Sequence, residues 1–150
     1  MRILLTALLF GLSFQSYSQA NLDSLWSVWE DDQQLDTTRL TALHHYATEG
    51  YLRAQPDSAY HFGEVMLNYA ESKDLQSPMA DALHLQGYAL SNLGQYNEAI
   101  GLYEKSLSIR EEKGDSVGVA MTLNHLGSIY RMQGEIEKGL GLQERSLSIR

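Results

Sequence analysis

The chain has 150 residues, two prolines, twelve glycines and no cysteine, with nineteen acidic residues against eleven basic ones and a net charge of −8. The lack of cysteine excludes a disulfide framework, a thiolate zinc site and a cysteine nucleophile. The acidic balance argues against a nucleic-acid-binding surface, which would need clustered lysine and arginine.

Residues 1–20 have the pattern of a secretory signal peptide. Arg2 supplies a positive start, residues 3–14 are an apolar run, and Ser18 and Ala20 place small residues at the two positions that a signal peptidase reads. The alternative is a membrane anchor, but about twelve apolar residues fall short of the ~20 that a spanning helix needs. We therefore expect cleavage after Ala20 and a mature protein that is periplasmic or extracellular.

Residues 21–35 predict a short, acidic leading helix. Leu22, Leu25, Trp26 and Trp29 share one side of it, which is the spacing of an apolar helical face. The two tryptophans form either an exposed stripe or a face that packs onto the next segment, and we expect packing.

Residues 36–150 contain a repeat of forty residues. Segments 80–110 and 120–150 are identical at twelve of thirty-one positions without a gap, and both close on Ser-Leu-Ser-Ile-Arg. A weaker copy lies forty residues upstream, where Leu43 and Glu64 match positions of the second copy. Fixed spacing over three copies indicates a stacked architecture. We expect the repeats at about residues 40–73, 80–113 and 120–150.

Each copy predicts two helices joined by a turn. Apolar residues recur at intervals of three or four, and Gly94 suits the left-handed residue that ends a helix. Ser77 is the expected N-cap of the second copy's first helix, with Pro78 in the first turn, and Asp115 is the expected N-cap in the third copy. The long period-two alternation typical of strands is absent, so the predicted fold class is all-α.

Small residues recur in the middle of these helices. Ala47, Gly87 and Gly127 occupy one repeat position, and Ala59, Ala99 and Gly139 occupy another. A mid-helix glycine costs ~1 kcal/mol relative to alanine. Accepting that cost at repeated positions indicates close helix approach.

A helical hairpin with Leu-Gly, then tyrosine, then glycine and alanine resembles the tetratricopeptide repeat. Residues 123–130, followed by Gly134, carry the pattern most fully. The second copy carries it at Gly87, Leu90, Gly94, Tyr96, Ala99 and Tyr103. The forty-residue period resembles the longer-repeat branch of the family. The resemblance implies a helical-hairpin solenoid of about three repeats over residues 36–150, although Gly139 and Gln143 depart from the usual alanine and aromatic residue.

The resemblance also implies a concave groove, lined by the first helices, that holds a protein or peptide. By the family's repeat positions the lining residues are Thr41, His44, Thr48 and Tyr51, then Asp81, His84, Tyr88, Ser91 and Asn92, then Met121, Asn124, Ser128, Arg131 and Met132. This polar and aromatic mixture does not resemble the basic clamps that hold a peptide's terminal carboxylate.

His44, His84 and Asn124 occupy one repeat position. They form either a ladder that hydrogen-bonds an extended peptide or a set of solvated polar groups. A metal site is disfavoured, because no carboxylate is seen to converge with these histidines and the neighbouring His44 and His45 point about 100° apart on a helix.

The sequence has no phosphate-binding glycine loop, metalloprotease motif or nucleophile elbow, so we expect no enzyme and no cofactor. The expected function is an exported scaffold that binds a protein or peptide, without nucleic acid and without a stable membrane span. The alternative is the extracytoplasmic sensor input of a bacterial signalling protein, such as a histidine kinase or a transcriptional regulator. Leu140 and Leu147 are expected to be partly bare, which favours continuation beyond Arg150 or end-to-end self-association.

Overall fold

The computed structural model describes residue 19 and residues 21–149. Within that part of the chain, the regular secondary structure is helical and contains no strand, so the all-α prediction is confirmed. None of the described helices is long and apolar enough to cross a membrane. The predicted signal peptide falls on residues 1–20 and so lies, apart from residue 19, outside the described residues.

Seven helices follow one another in the described residues, and six of them repeat with the period seen in the sequence. Helix α1 covers residues 21–30. The others are α2 (Asp36–Gly50), α3 (Pro56–Ser72), α4 (Gln76–Asn92), α5 (Tyr96–Lys113), α6 (Ser116–Met132) and α7 (Ile136–Ile149). The starts of α2, α4 and α6 lie forty residues apart, as do those of α3, α5 and α7.

Glycines with positive φ end several of the helices. Gly94 and Gly134, which are equivalent in the repeat, have φ values of 77° and 88°, a region that L-residues with a Cβ adopt at a cost. Gly114 caps α5 with φ 68°, whereas Asp74, forty residues earlier, has φ 52°. The predicted left-handed role of Gly94 is confirmed.

The helix starts confirm one predicted cap and correct another. Asp115 is the N-cap of α6, and its carboxylate accepts a hydrogen bond from the Gly118 amide at 2.9 Å. The Ser77 prediction is wrong, because α4 begins at Gln76 with Leu75 as its N-cap. A proline is tolerated in a first turn, where the amide hydrogens have no helical partner, so α4 starts earlier than Pro78 suggested.

The helices form two layers of different spacing. In the inner layer α2 contacts α4, and α4 contacts α6; in the outer layer the backbones of α3 and α5 do not come into contact, and neither do those of α5 and α7. Instead, α3 and α5 each pack against the inner helices before and after them in the chain, and α7 packs against α6. The closer spacing of α2, α4 and α6 makes their exposed side the concave one.

Two hydrophobic clusters stabilise this stack. The first includes Leu43 and Leu85, and Trp26 and Trp29 of α1 pack against it. The second is centred on Tyr103, which is fully buried among residues of α4, α5 and α6. The predicted packing of the α1 tryptophans is therefore confirmed.

The small residues lie where helices approach most closely. A Cβ added to Gly127 would sit 2.7 Å from the Gly139 carbonyl oxygen, and one added to Gly87 would sit 3.1 Å from the Tyr103 ring. Ala47, Ala59 and Ala99 are fully buried. The backbone contact leaves no room for a Cβ at Gly127, and the Gly87 contact is tight enough that the Tyr103 ring would have to shift, so the close helix approach predicted from the sequence is confirmed.

Candidate functional site

The concave side of the inner layer exposes a mixed set of polar and apolar side chains. We call this set the groove face, and its members are Thr41 on α2, Tyr88 on α4, and Met121, Asn124 and Met132 on α6. All five belong to the predicted groove, and the fold gives them a common exposed side. Methionine and tyrosine are residue types that adapt to, and anchor, protein partners.

Tyr88 is the aromatic member of the groove face, and it is held from beneath. Its ring lies 4.9 Å from the His125 ring in an edge-on arrangement. His125 Nδ1 in turn lies 3.3 Å from the hydroxyl of the buried Tyr103. Burial raises the pKa of the Tyr103 hydroxyl well above its usual range, so Tyr103 stays neutral. Tyr88 therefore presents an exposed ring on a packed base.

The hydroxyl groups predicted for the groove are already used as donors. Thr41 donates to the Thr37 carbonyl at 2.8 Å, and Thr48 donates to the His44 carbonyl at 2.9 Å. Ser91 and Ser128 donate in the same way to carbonyls four residues earlier. A hydroxyl oxygen keeps acceptor capacity after it donates, so these groups suit a ligand that supplies hydrogen-bond donors.

The structure corrects the prediction for His84. Its side chain is only 6 % exposed, its Nδ1 lies 3.2 Å from the Thr122 hydroxyl, and its ring packs edge-on against Tyr103. Burial lowers the pKa of His84 to about 3, and His125 and Arg110 nearby add to the effect. His84 is therefore a neutral core histidine between α4, α5 and α6, and the ladder of three ligand-reading side chains does not form.

His44 occupies an intermediate position at the same repeat site. It lines a cavity of about 60 Å³ together with Thr41 and Asp81. Burial lowers the pKa of His44, while the Asp81 carboxylate acts in the opposite direction. Within the described residues, no three histidine or carboxylate side chains converge as a set of metal ligands.

Asp81 is tied to a buried cation that the sequence reasoning missed. Arg110 is 5 % exposed, and its guanidinium donates to Asp81 at 2.6 Å and to Asp115 at 2.7 Å. Its Nε donates to the Ser106 hydroxyl, which donates to the Ala80 carbonyl. The available signal was the duplicated Ser-Leu-Ser-Ile-Arg block, since Ser146 makes the equivalent bond to the Ala120 carbonyl at 2.6 Å.

Three further predicted groove residues are occupied by structural contacts. Tyr51 is half-buried and packs in an aromatic cluster with Tyr46, its hydroxyl 3.0 Å from that of Tyr46. Asn92 donates to the Leu52 carbonyl at 2.9 Å and thereby holds the turn between α2 and α3. Arg131 donates to Gln143 of α7 at 3.2 Å.

Comparison with known proteins agrees with this architecture. The sequence profile of the tetratricopeptide repeat matches residues 78–150. The crystal structure of the tetratricopeptide-repeat domain of Arabidopsis FLU is similar, with a TM-score of 0.67 and 19% sequence identity over 76% of this chain and 96% of that one. No curated protein matches the chain. Residues 78–150 therefore match the tetratricopeptide repeat in sequence, and helices α2–α7 have the fold of a tetratricopeptide-repeat solenoid.

Proposed function

We propose that this chain is a scaffold that binds a segment of another protein along the groove face. Tetratricopeptide repeats are interaction folds, and the observation that carries the proposal is the exposed ring of Tyr88 on its packed base of His125 and Tyr103. Pre-ordered aromatic side chains lose little conformational entropy on binding and are frequent binding hot spots.

The surroundings of Tyr88 indicate a ligand with apolar side chains and free donors. Met121 and Met132 are 39% and 68% exposed. Asn124 offers both an acceptor and donors, and the Thr41 hydroxyl keeps an acceptor. The one cation of the predicted groove, Arg131, already donates to Gln143 of α7 at 3.2 Å, so a terminal carboxylate is not the expected anchor.

A peptide array probed with the wild-type chain and with Tyr88→Ala tests this proposal. We expect the substitution to weaken capture of the selected peptides about tenfold, which corresponds to ~1.4 kcal/mol. Glu104→Ala, an exposed change on α5, is the matched control and should capture as well as wild type. Equal capture by Tyr88→Ala and wild type, with unchanged circular dichroism, would overturn the proposal.

We also propose that the scaffold works outside the cytoplasm. The support is the pattern of residues 1–20, with Arg2, an apolar run and small residues before the expected cleavage site after Ala20. N-terminal sequencing of protein expressed with its leader tests this. A mature chain beginning at Asn21 is expected, and an intact Met1 would contradict export by cleavage.

A second candidate function is the sensor input of a bacterial signalling protein, favoured by the surface of α7. Leu140 and Leu147 are 46% and 68% exposed, whereas their equivalents in α5, Ile100 and Leu107, pack against the second hydrophobic cluster. Such a face suits contact with a further helix. Sequencing the gene beyond codon 150 decides this candidate: a spanning helix followed by a kinase or regulator region selects it, and a stop codon removes it.

Sedimentation of the purified chain tests the end-to-end self-association that the same face suits.

A further inference from the structure

A second cleft lies on the outer side of the solenoid, away from the groove face. It runs between α3 and α5, whose backbones do not touch, and α4 forms its floor. One end is a cavity of about 440 Å³ and the other a cavity of about 380 Å³. Leu83 and Leu90 on the floor face about 180° away from Asp81 and Tyr88 around α4, at 100° per residue. We call this feature the outer cleft.

The outer cleft combines an apolar interior with an acidic edge. At the larger end, Tyr60, Leu90 and Leu102 form the walls, and the carboxylates of Asp57 and Glu98 stand beside them. At the smaller end, the lining includes Glu71 of α3 and Lys105 of α5. The lining therefore carries three carboxylates and one ammonium group.

In the next repeat, a side chain of the protein itself occupies the position that corresponds to the larger end of the outer cleft. Forty residues after Glu98 and Leu90 stand Lys138 and Tyr130, and the Lys138 ammonium lies 3.7 Å from the centre of the Tyr130 ring. A cation of α7 thus lies over the α6 residue that is equivalent to the floor residue Leu90. In the outer cleft the equivalent side chain is the acidic Glu98, and the described residues that line this end include no lysine or arginine.

The same repeat is also bridged at its other end. Arg145 of α7 donates to Glu111 of α5 at 2.6 Å. Their equivalents in the outer cleft are Lys105 and Glu71, and these two described residues form no ion pair. The cleft between α3 and α5 therefore stays open and acidic, whereas the equivalent cleft between α5 and α7 is bridged by the Arg145–Glu111 ion pair.

We propose that the outer cleft docks an amphipathic segment of a partner protein, with leucine-like side chains against the floor and a lysine or arginine beside Asp57 and Glu98. The volume of the larger cavity lies within the range of side-chain and small-ligand pockets. The charge complements the lining, and the position of the ligand's cation is the one that Lys138 takes in the next repeat. This cleft is separate from the groove face and does not depend on it.

Titration of the full chain with a designed peptide pair tests the proposal. The probe is a 14-residue peptide, a length of about four helical turns, with a leucine stripe and lysines at both ends; its partner has glutamate in place of each lysine. We expect the lysine peptide to bind, with amide chemical-shift changes at α3–α5 cleft residues, and the glutamate peptide to bind at least about tenfold more weakly.

Two charge reversals on α5 distinguish specific binding in the outer cleft from nonspecific attraction of a cationic peptide to an acidic protein. Glu98→Lys supplies the cation that Lys138 supplies in the next repeat, and it should weaken the lysine peptide at least about tenfold. Glu104→Lys makes the same charge change at an exposed position outside the cleft and should change binding less than about twofold. Equal effects of the two reversals, equal binding of the two peptides, or shift changes centred on Tyr88 would overturn the proposal.

Discussion

Arg110 of α5 and Asp81 of α4 form an ion pair of 2.6 Å in which the cation is buried and the carboxylate is half exposed. The same guanidinium reaches Asp115, the N-cap of α6. One side chain therefore joins three consecutive helices across a repeat boundary. Neighbour-to-neighbour contacts of this kind are what hold a solenoid together.

Replacing Arg110 with methionine should lower the free energy of unfolding by roughly 3 kcal/mol, since it leaves two carboxylates without their cation. This predicted loss is at the low end of the range for breaking a buried ion pair, because Asp81 and Asp115 keep access to water. Urea unfolding followed by circular dichroism measures the loss. Arg145→Met is the control, because its pair with Glu111 has the same 2.6 Å distance but is exposed on both sides; it should cost less than about 1 kcal/mol. Equal losses would show that burial is not the deciding factor.

Acid should destabilise the protein through its buried histidines. The pKa of His84 is lowered from 6.5 to about 3 by burial, so between these values the unfolded chain binds the proton and the folded chain does not. Stability is therefore complete above pH 6.5 and falls as the pH drops toward 3, with a slope of up to about 1.4 kcal/mol per pH unit from this group.

His84→Asn tests that pH dependence. The variant should lose less stability than wild type between pH 8 and pH 5 in urea unfolding, whatever its stability at pH 8. His61→Asn changes a histidine that is exposed on α3 and should keep the wild-type slope. A slope unchanged by His84→Asn would remove this residue as the source of acid sensitivity, leaving His44 and His125, whose pKa values burial also lowers.

Two glycines in helices of the same fold should respond oppositely to alanine. Gly101→Ala should raise stability by up to ~1 kcal/mol, because its added Cβ meets no atom within 4 Å and alanine favours helix. Gly127→Ala should lower stability by roughly 1–3 kcal/mol, because its Cβ would meet the Gly139 carbonyl oxygen at 2.7 Å. Thermal unfolding of both variants measures the difference, and a stabilising Gly127→Ala would contradict the close approach of α6 and α7.

Helix α1 should contribute to the stability of the stack through Trp26. Its ring lies 5.0 Å from Tyr46 and 6.4 Å from Phe62. Trp26→Ala should lower the free energy of unfolding by about 2 kcal/mol, less than for a fully buried tryptophan because the side chain is only partly buried. Leu35→Ala, at a 74% exposed position, should stay within about 0.5 kcal/mol of wild type. If the two variants match, α1 is not an integral part of the fold.

Much of the fold was predictable because each repeat packs on its neighbours in the sequence, so the sequence period reflects the packing. The forty-residue period set the spacing of the helix starts, the recurring small residues marked the close helix contacts, and Gly94 and Asp115 marked a helix end and a helix start. The prediction of Ser77 as the N-cap of α4 was wrong because a proline in the first turn is compatible with more than one start position of the helix. Local signals place helices well and their first residue less well.

The groove was less predictable, since a repeat position does not state which neighbour a side chain meets. His44, His84 and Asn124 share one position, yet the first is half-buried, the second is buried and the third is exposed. His84 is enclosed because α6 brings Thr122 and His125 against it. Asn124 stays exposed at the same position of α6, the last helix of the inner layer that the structure describes.

The sequence by itself determined that this protein is a stack of helical pairs with a period of forty residues, because apolar spacing and small residues at fixed intervals act through local geometry. Only the tertiary structure decided which polar residues serve the fold and which face solvent. Arg110 and His84 are enclosed and Tyr88 is exposed because of how α4, α5 and α6 meet, and burial depends on neighbours distant in the chain. The same packing separates α3 from α5 and leaves the outer cleft open.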